Sequence, residues 1–320
     1  MRGNCVVFLS RQGVESVMFM RRLAGILAVS MLAAPVAAQE TPARTTPEII
    51  VRPPPTEAER HRELRDFTRE VIRPPRLNQP VAKFAFPVCV EVRGLAPEDA
   101  AVIAERIREN AEALGVGANR EPDCVPTVRI AFMAPAAGPA TAWLTPESPQ
   151  LAHLASYQRE RVLGEAGPVR AWNKIVVRNA EGQPLHYADP KAVLDRGVSL
   201  PPLFEPFSVT DPVISTEITG AAVLIEREAA HGFTLGQLAD YATMRALLGT
   251  GEVEAGAPVR TILTLFDDPA PPAELTDFDK ALVRELYDAS RNAKPRRVYN
   301  DIARAAVAAE RSGVRAKQAP

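Results

Sequence analysis

From about residue 56 onward, apolar residues recur with helical and alternating periods that lay out a series of elements. In "TEAERHRELRDFTREVI", Leu64, Phe67 and Val71 share one face, and Thr56 stands three residues before Glu59 in capping-box spacing. A charged helix with one narrow apolar stripe is expected there, docked on something larger, and "RPPRLNQP" ends it. "AKFAFPVCVEVRG" is a β-rich run that stops at Gly94. Pro97 then starts a helix with Ile103, Ile107, Ala111 and Leu114 on its inner stripe, and "VPTVRIAFM" follows as a second strand. Strand, helix and strand in about 50 residues predict a βαβ unit with parallel strands.

Residues 134 to 170 form a long connection rich in Ala, Pro and Gly, broken by a short helix at "SPQLAHLASYQRERVL". "VRAWNKIVVRN" reads as a third strand with its turn at Asn179 to Gly182. Prolines 201, 202, 206 and 212 leave little regular structure between Pro184 and Pro212. "ISTEITGAAVLIERE" is a fourth strand, with Gly220 marking a bulge or a close approach. In "GFTLGQLADYATMRALLG", Thr234 and Gln237 cap a helix whose stripe is Leu235, Leu238, Ala242 and Ala246, and Gly249 terminates it. After "VRTILTLF", a core-facing helix carries Leu275, Phe278, Leu282, Leu286 and Tyr287, and "RRVYNDIARAAVAAERS" predicts a final, peripheral one. No internal repeat is visible.

Composition changes this picture little. With 320 residues, 46% apolar and 24% charged, the chain is ordinary globular material. Its 30 prolines point to long irregular connections around a modest core. A formal charge of −1 gives no reason to expect nucleic acid or an anionic membrane as partner.

The N-terminus carries more information. From Met18 or Met20, the expected true start, Arg21 and Arg22 precede an apolar run from Leu23 to about Leu32, and small residues end at Val36, Ala37 and Ala38. Residues 1–38 thus read as a secretory signal peptide, cleaved before Gln39. The competing reading, a membrane anchor, meets an apolar run shorter than the ~20 residues a spanning helix needs. Periplasmic or secreted localisation is expected, without stable membrane insertion after cleavage. Cleavage removes Cys5 and leaves Cys89 and Cys124, most simply a disulfide in an oxidising compartment. Closing a loop of about 35 residues, it contributes roughly 3–4 kcal/mol in the chain-entropy model. The expected organisation is a proline-rich lead-in with a short helix at 39–80, a main domain at 81–295, and a C-terminal helix and tail at 296–320.

The order of elements, the helix ending in Leu-Gly and the later "LTDFDKALVRELYD" together resemble the zincin-type metalloprotease fold. In particular they are similar to secreted bacterial proteins with zincin-like domains (domain of unknown function 2927), whose closing segments also read LT…D…LLR.LYD. The resemblance implies an α+β fold with a zincin-like mixed sheet packed against helices. Aligned with H-E-x-x-H-x-L-G, the helix places Ala242 and Ala246 at the metal-ligand positions and Thr243 at the base position, with Glu252 where a third ligand could follow. That motif projects two imidazoles from one helix face onto zinc, with the Glu activating water. Alanine offers no electron pair, so no metal and no cofactor is expected there.

Other chemistries have weak handles. His61, His153, His186 and His231 are scattered, and a non-standard site from His186, His231 and Asp240 is the nearest substitute for a metal centre. No G-x-S-x-G, Walker loop or G-x-G-x-x-G occurs. On the capped helix, Asp240, Tyr241 and Arg245 are polar, with Tyr241 and Arg245 on one face. They either line a remnant cleft that binds a peptide, or Arg245 pairs with a carboxylate under a loop. Trp143 and Trp172 read as core anchors. The expectation is an exported, inactive zincin-like protein with a non-catalytic binding role, its partner an envelope protein or a peptide. A secreted hydrolase or peptidase with a non-standard active site is the alternative. A helix-turn-helix reading of 233–249 is opposed by export and neutral charge.

Overall fold

The computed structural model describes residues 54–72, 79–134, 144–185, 214–251, 253 and 256–318. Every described residue lies in one compact unit, Pro53–Pro320. Helix α1 (Glu57–Val71) opens with the expected capping box: the Thr56 hydroxyl accepts from Glu59 N–H, and the Glu59 carboxylate accepts from Thr56 N–H at 2.8 Å. Its stripe of Leu64, Phe67 and Val71 is buried, as a docked amphipathic helix requires. Strand β1 (Lys83–Phe84) precedes the βαβ unit of β2 (Val90–Arg93), α2 (Pro97–Ala113) and β3 (Val128–Met133), and β2 and β3 pair in parallel. Gly94 ends β2 at φ 88°, and a Cβ there would lie 2.0 Å from Phe132 O, so only glycine fits this close approach.

Cys89 and Cys124 form the expected disulfide, with Cα atoms 6.1 Å apart. It joins the start of β2 to the approach to β3, and Cys89 N–H donates to Thr127 Oγ1 at 3.0 Å beside it. The long connection contains a 3-10 turn at Pro149–Leu151 and helix α3 (Ser156–Leu163). Then come β4 (Val169–Arg178), β5 (Pro184–Leu185) and β6 (Ser215–Glu226). The six-stranded sheet runs β2-β3-β6-β4-β5, with β1 also paired to β6. Strands β1, β3 and β6 are mutually parallel in their pairings, whereas β4 is antiparallel to β6 and to β5. The register between β4 and β6 slips where Lys174 pairs with Gly220 and Ile175 with Ile218, so the irregularity expected at Gly220 is a bulge that leaves Thr219 over.

Three helices complete the chain: α4 (Leu235–Leu248), α5 (Asp277–Asp288) and α6 (Pro295–Gln318). Alternation along β6 divides the interior. Ala221, Val223 and Ile225 enter one apolar cluster that extends from Leu64 of α1 to Val307 of α6. In that cluster Val298, Tyr299, Ile302, Ala303, Ala306 and Val307 of α6 are buried, and α6 packs on α1 and α5. Ala222 and Leu224 turn to the opposite face and meet a smaller cluster of Leu144, Leu151, Leu154, Val162 and Trp172 beneath α3. Trp172 is a core anchor; Trp143 lies outside the described residues. No helix among the described residues is long and apolar enough to cross a membrane.

Candidate functional site

Helix α4 is the element on which the sequence concentrates its candidate chemistry. Thr234 and Gln237 cap it reciprocally, Gln237 Nε2 donates onward to Pro272 O at 2.9 Å, and Gly249 closes it at φ 59° in the left-handed region. Every residue from Leu238 to Leu248 is buried. A helix enclosed on all sides belongs to the interior and has no free face for a substrate. Two charged residues in fourteen, Asp240 and Arg245, are the sequence signal for this.

Ala242 and Ala246 have no solvent exposure and pack inside the main apolar cluster. The Thr243 hydroxyl donates to Ala239 O at 2.8 Å and accepts from Asn110 Nδ2 at 3.1 Å. Ala246 O accepts from Asn173 Nδ2 at 2.8 Å. The three motif positions therefore present methyl groups to packed side chains and a hydroxyl already engaged on both sides. Glu252 lies outside the described residues.

The expectation of a cleft lined by Asp240, Tyr241 and Arg245 meets a different geometry, because all three are buried. Asp240 faces α2. Its Oδ1 accepts from Arg106 Nε at 2.9 Å and Asn110 Nδ2 at 2.7 Å, and its Oδ2 from Arg106 Nη2 at 3.1 Å and Leu275 N–H at 2.9 Å. Those four bonds fill the carboxylate's acceptor positions. The Asp240 contact in turn raises the Arg106 pKa above its ordinary value. Asp240 is thus not available as a ligand beside His231, which is exposed; His186 is outside the described residues.

Arg245 faces the loop after α3. Nη1 donates to Tyr241 Oη at 2.7 Å and Nη2 to Glu165 Oε2 at 2.8 Å, which is the arginine–carboxylate pair under a loop that the sequence allowed. Desolvation opposes the buried cation, yet the Tyr241 and Glu165 oxygens outweigh it, so its pKa lies above the ordinary arginine value. Tyr241 stacks edge-on against Phe266 at 5.0 Å, and Phe266 against Phe233 at 5.3 Å.

At the C-terminal end of α4, a pocket of ≈ 30 Å³ opens between Leu248, Gly249, Trp172, Asn173, Gln158 and Arg161. Roughly 10–15 Å³ holds one water and about 150 Å³ admits benzene, so this space suits water rather than a substrate. Among the described residues, no three His, Cys, Asp or Glu side chains are grouped to hold a metal ion. Sequence reasoning missed Arg106, Asn110, Glu165 and Asn173, which complete these networks. Arg106 and Asn110 had a faint signal: they stand four apart on α2, flanking its apolar stripe.

Fold and site together define a mixed α+β protein with a central helix buried from Leu238 to Leu248. No protein-family model, curated protein or solved structure matches the chain.

Proposed function

We propose that this is an exported, disulfide-bonded protein on a zincin-like core whose active-site helix is inert, with a non-catalytic binding role in the cell envelope. Its partner is a peptide or an envelope protein; nucleic acid and stable membrane insertion have no place in this reading. The observation that carries it is the complete burial of Ala242 and Ala246 at the ligand positions. Methyl groups supply no lone pair, and their packing leaves an ion no room beside α4. The strand order supports the zincin-like assignment only in outline: α4 follows β6, the strand flanked by an antiparallel neighbour in a mixed sheet. Export is supported by the basic, apolar and small-residue order up to Ala38, and by the paired cysteines.

The test is metal analysis and a general peptidase assay on protein exported to an oxidising compartment and purified without chelator. Zinc well below stoichiometric and no chelator-sensitive hydrolysis are expected. Stoichiometric zinc would overturn the inert-helix reading. A reporter enzyme active only outside the cytoplasm, fused behind residues 20–60, is expected to be active; a silent fusion would remove the envelope from the proposal.

A further inference from the structure

Several arginines in this chain fill the edge of the guanidinium formed by Nε–H and Nη2–H with a carboxylate. Arg106 does so on Asp240, at 2.9 and 3.1 Å, and Arg120 on Glu112, at 2.8 and 3.0 Å. Arg60 makes the same two-point contact with Glu310. Arg170 of β4 is more deeply placed than any of these, with 0% exposure. Its Nη1 donates to Gly167 O and Val169 O, both at 2.7 Å. Its Nε and Nη2 meet no hydrogen-bond partner among the described residues. A buried guanidinium whose carboxylate-shaped edge is unmet is among the costliest arrangements a protein interior can hold.

We propose that Arg170 anchors a binding site for a small oxyanion, a carboxylate or phosphate group accepted on Nε–H and Nη2–H together. The pairing is the two-point match that guanidinium makes with such groups. The loop whose Gly167 O accepts from Arg170 also carries Glu165, which pairs with a second fully buried guanidinium, Arg245, and the Nε of Arg245 is likewise unmet among the described residues. Strand alternation puts Arg170 on the face of Trp172, two residues along, and opposite Leu224 of β6. The cover over that face is α3, held by the smaller of the two apolar clusters. Units secured by few apolar contacts open at lower free energy than the main core, so the oxyanion enters by displacement of this cover. The site is independent of the state of α4: it neither needs nor forbids a metal there.

The experiment uses the full purified protein with Trp143→Phe, which leaves Trp172 as the sole tryptophan. Succinate and inorganic phosphate are titrated against chloride at matched ionic strength, with melting temperature and tryptophan emission as readouts. One of the two anions is expected to change Trp172 emission saturably and to raise the Tm by about 5 °C at ~100 times its Kd. Whichever anion saturates first identifies the chemistry. Arg170→Gln is expected to abolish both responses. Arg170→Met, which removes the unpaired charge at similar length, should melt in chloride at or above the parent temperature. The proposal fails if neither anion acts saturably on the parent protein, since anion exclusion alone gives only a linear rise. It fails equally if the response survives Arg170→Gln, or if Arg170→Met melts well below the parent in chloride. The parent titration decides the matter even if a variant does not fold. A zinc-loaded α4 together with an anion response would remove the proposed function and keep this site.

Discussion

Asp240 and Arg245 lie five residues apart on α4, both fully buried, and their surroundings differ in kind. Asp240 is enclosed by α2 and by the approach to α5, with all its acceptor positions taken. Arg245 looks toward the loop between α3 and β4, where its own Nε and the Nε and Nη2 of Arg170 have no partner among the described residues. Just past the C-terminal cap of α4, Thr250 Oγ1 is also buried without one. A closed network holds the helices of the main core in register. An incompletely satisfied one leaves donors that a ligand can still engage. The difference separates a saturated polar contact from an unsaturated one on a single helix.

The sharpest way to break the closed end is Asp240→Ala. It strands Arg106, Asn110 and Leu275 N–H at once, and removal of one partner from a buried ion pair costs about 3–5 kcal/mol. Arg106 is partly exposed and can rehydrate, so about 3 kcal/mol is expected from denaturant unfolding. A loss under ~1 kcal/mol would show that α2 and α4 are held together by apolar packing alone.

How far these two ends could be told apart from sequence depends on the kind of signal each leaves. The βαβ unit, the caps of α1 and α4, the Gly220 irregularity and the Cys89–Cys124 pair are local or periodic features, and the chain displays them openly. The burial of α4 on every side is not periodic, and an amphipathic stripe was expected where the helix is enclosed. Asp240 and Arg245 read identically as polar residues in an apolar helix. Their partners come from residues as distant as Arg106 and Glu165, and only the tertiary fold sets such pairings. Arg170 left no signal, because a strand arginine ordinarily points to solvent.

At the end of α4, Gly249→Ala comes next in size. The residue sits at φ 59°, which costs a side-chain-bearing residue about 1 kcal/mol. The new Cβ would also lie 2.6 Å from Asn173 Oδ1, and moving Asn173 gives up its bond to Ala246 O, worth about 1 kcal/mol. A loss of about 2 kcal/mol is expected, falling to about 1 when combined with Asn173→Ala, as measured against Asn173→Ala alone. Equal losses in both backgrounds would mean that the close approach is not what requires glycine there.

A smaller effect is expected from Lys83, whose Nζ donates to Leu286 O, Tyr287 O and Ala289 O at the end of α5. Desolvation, reinforced by Arg291 and opposed by Asp288, pulls its pKa down from 10.5 to about 8. Between those values the unfolded chain binds a proton that the folded chain has released, so stability rises with pH through the window. The three carbonyls favour the ammonium form and trim the gain to on the order of 1 kcal/mol. Tyr299 acts the other way from pH 10, since burial pushes it up to about 12 and the unfolded phenol ionises first. Unfolding free energies are therefore expected to climb from pH 8 to a maximum near 10. Lys83→Met should flatten the climb; a profile unchanged by Lys83→Met would assign the rise to other groups.

The smallest expected change tests the comparison most directly. Replacing both members of the Arg245–Glu165 pair, as Arg245→Met with Glu165→Gln, removes a buried charge of each sign and leaves side chains of similar volume. Such exchanges are often neutral or stabilising, because desolvation of the ions was never fully repaid. The double variant is expected within about 1 kcal/mol of the parent, while Glu165→Gln alone, which leaves the Arg245 cation without its carboxylate, should lose about 3 kcal/mol. If the double variant were as damaged as Asp240→Ala, the Arg245 end of α4 would be structural cement like the Asp240 end. The contrast between the two ends would then rest on Arg170 alone.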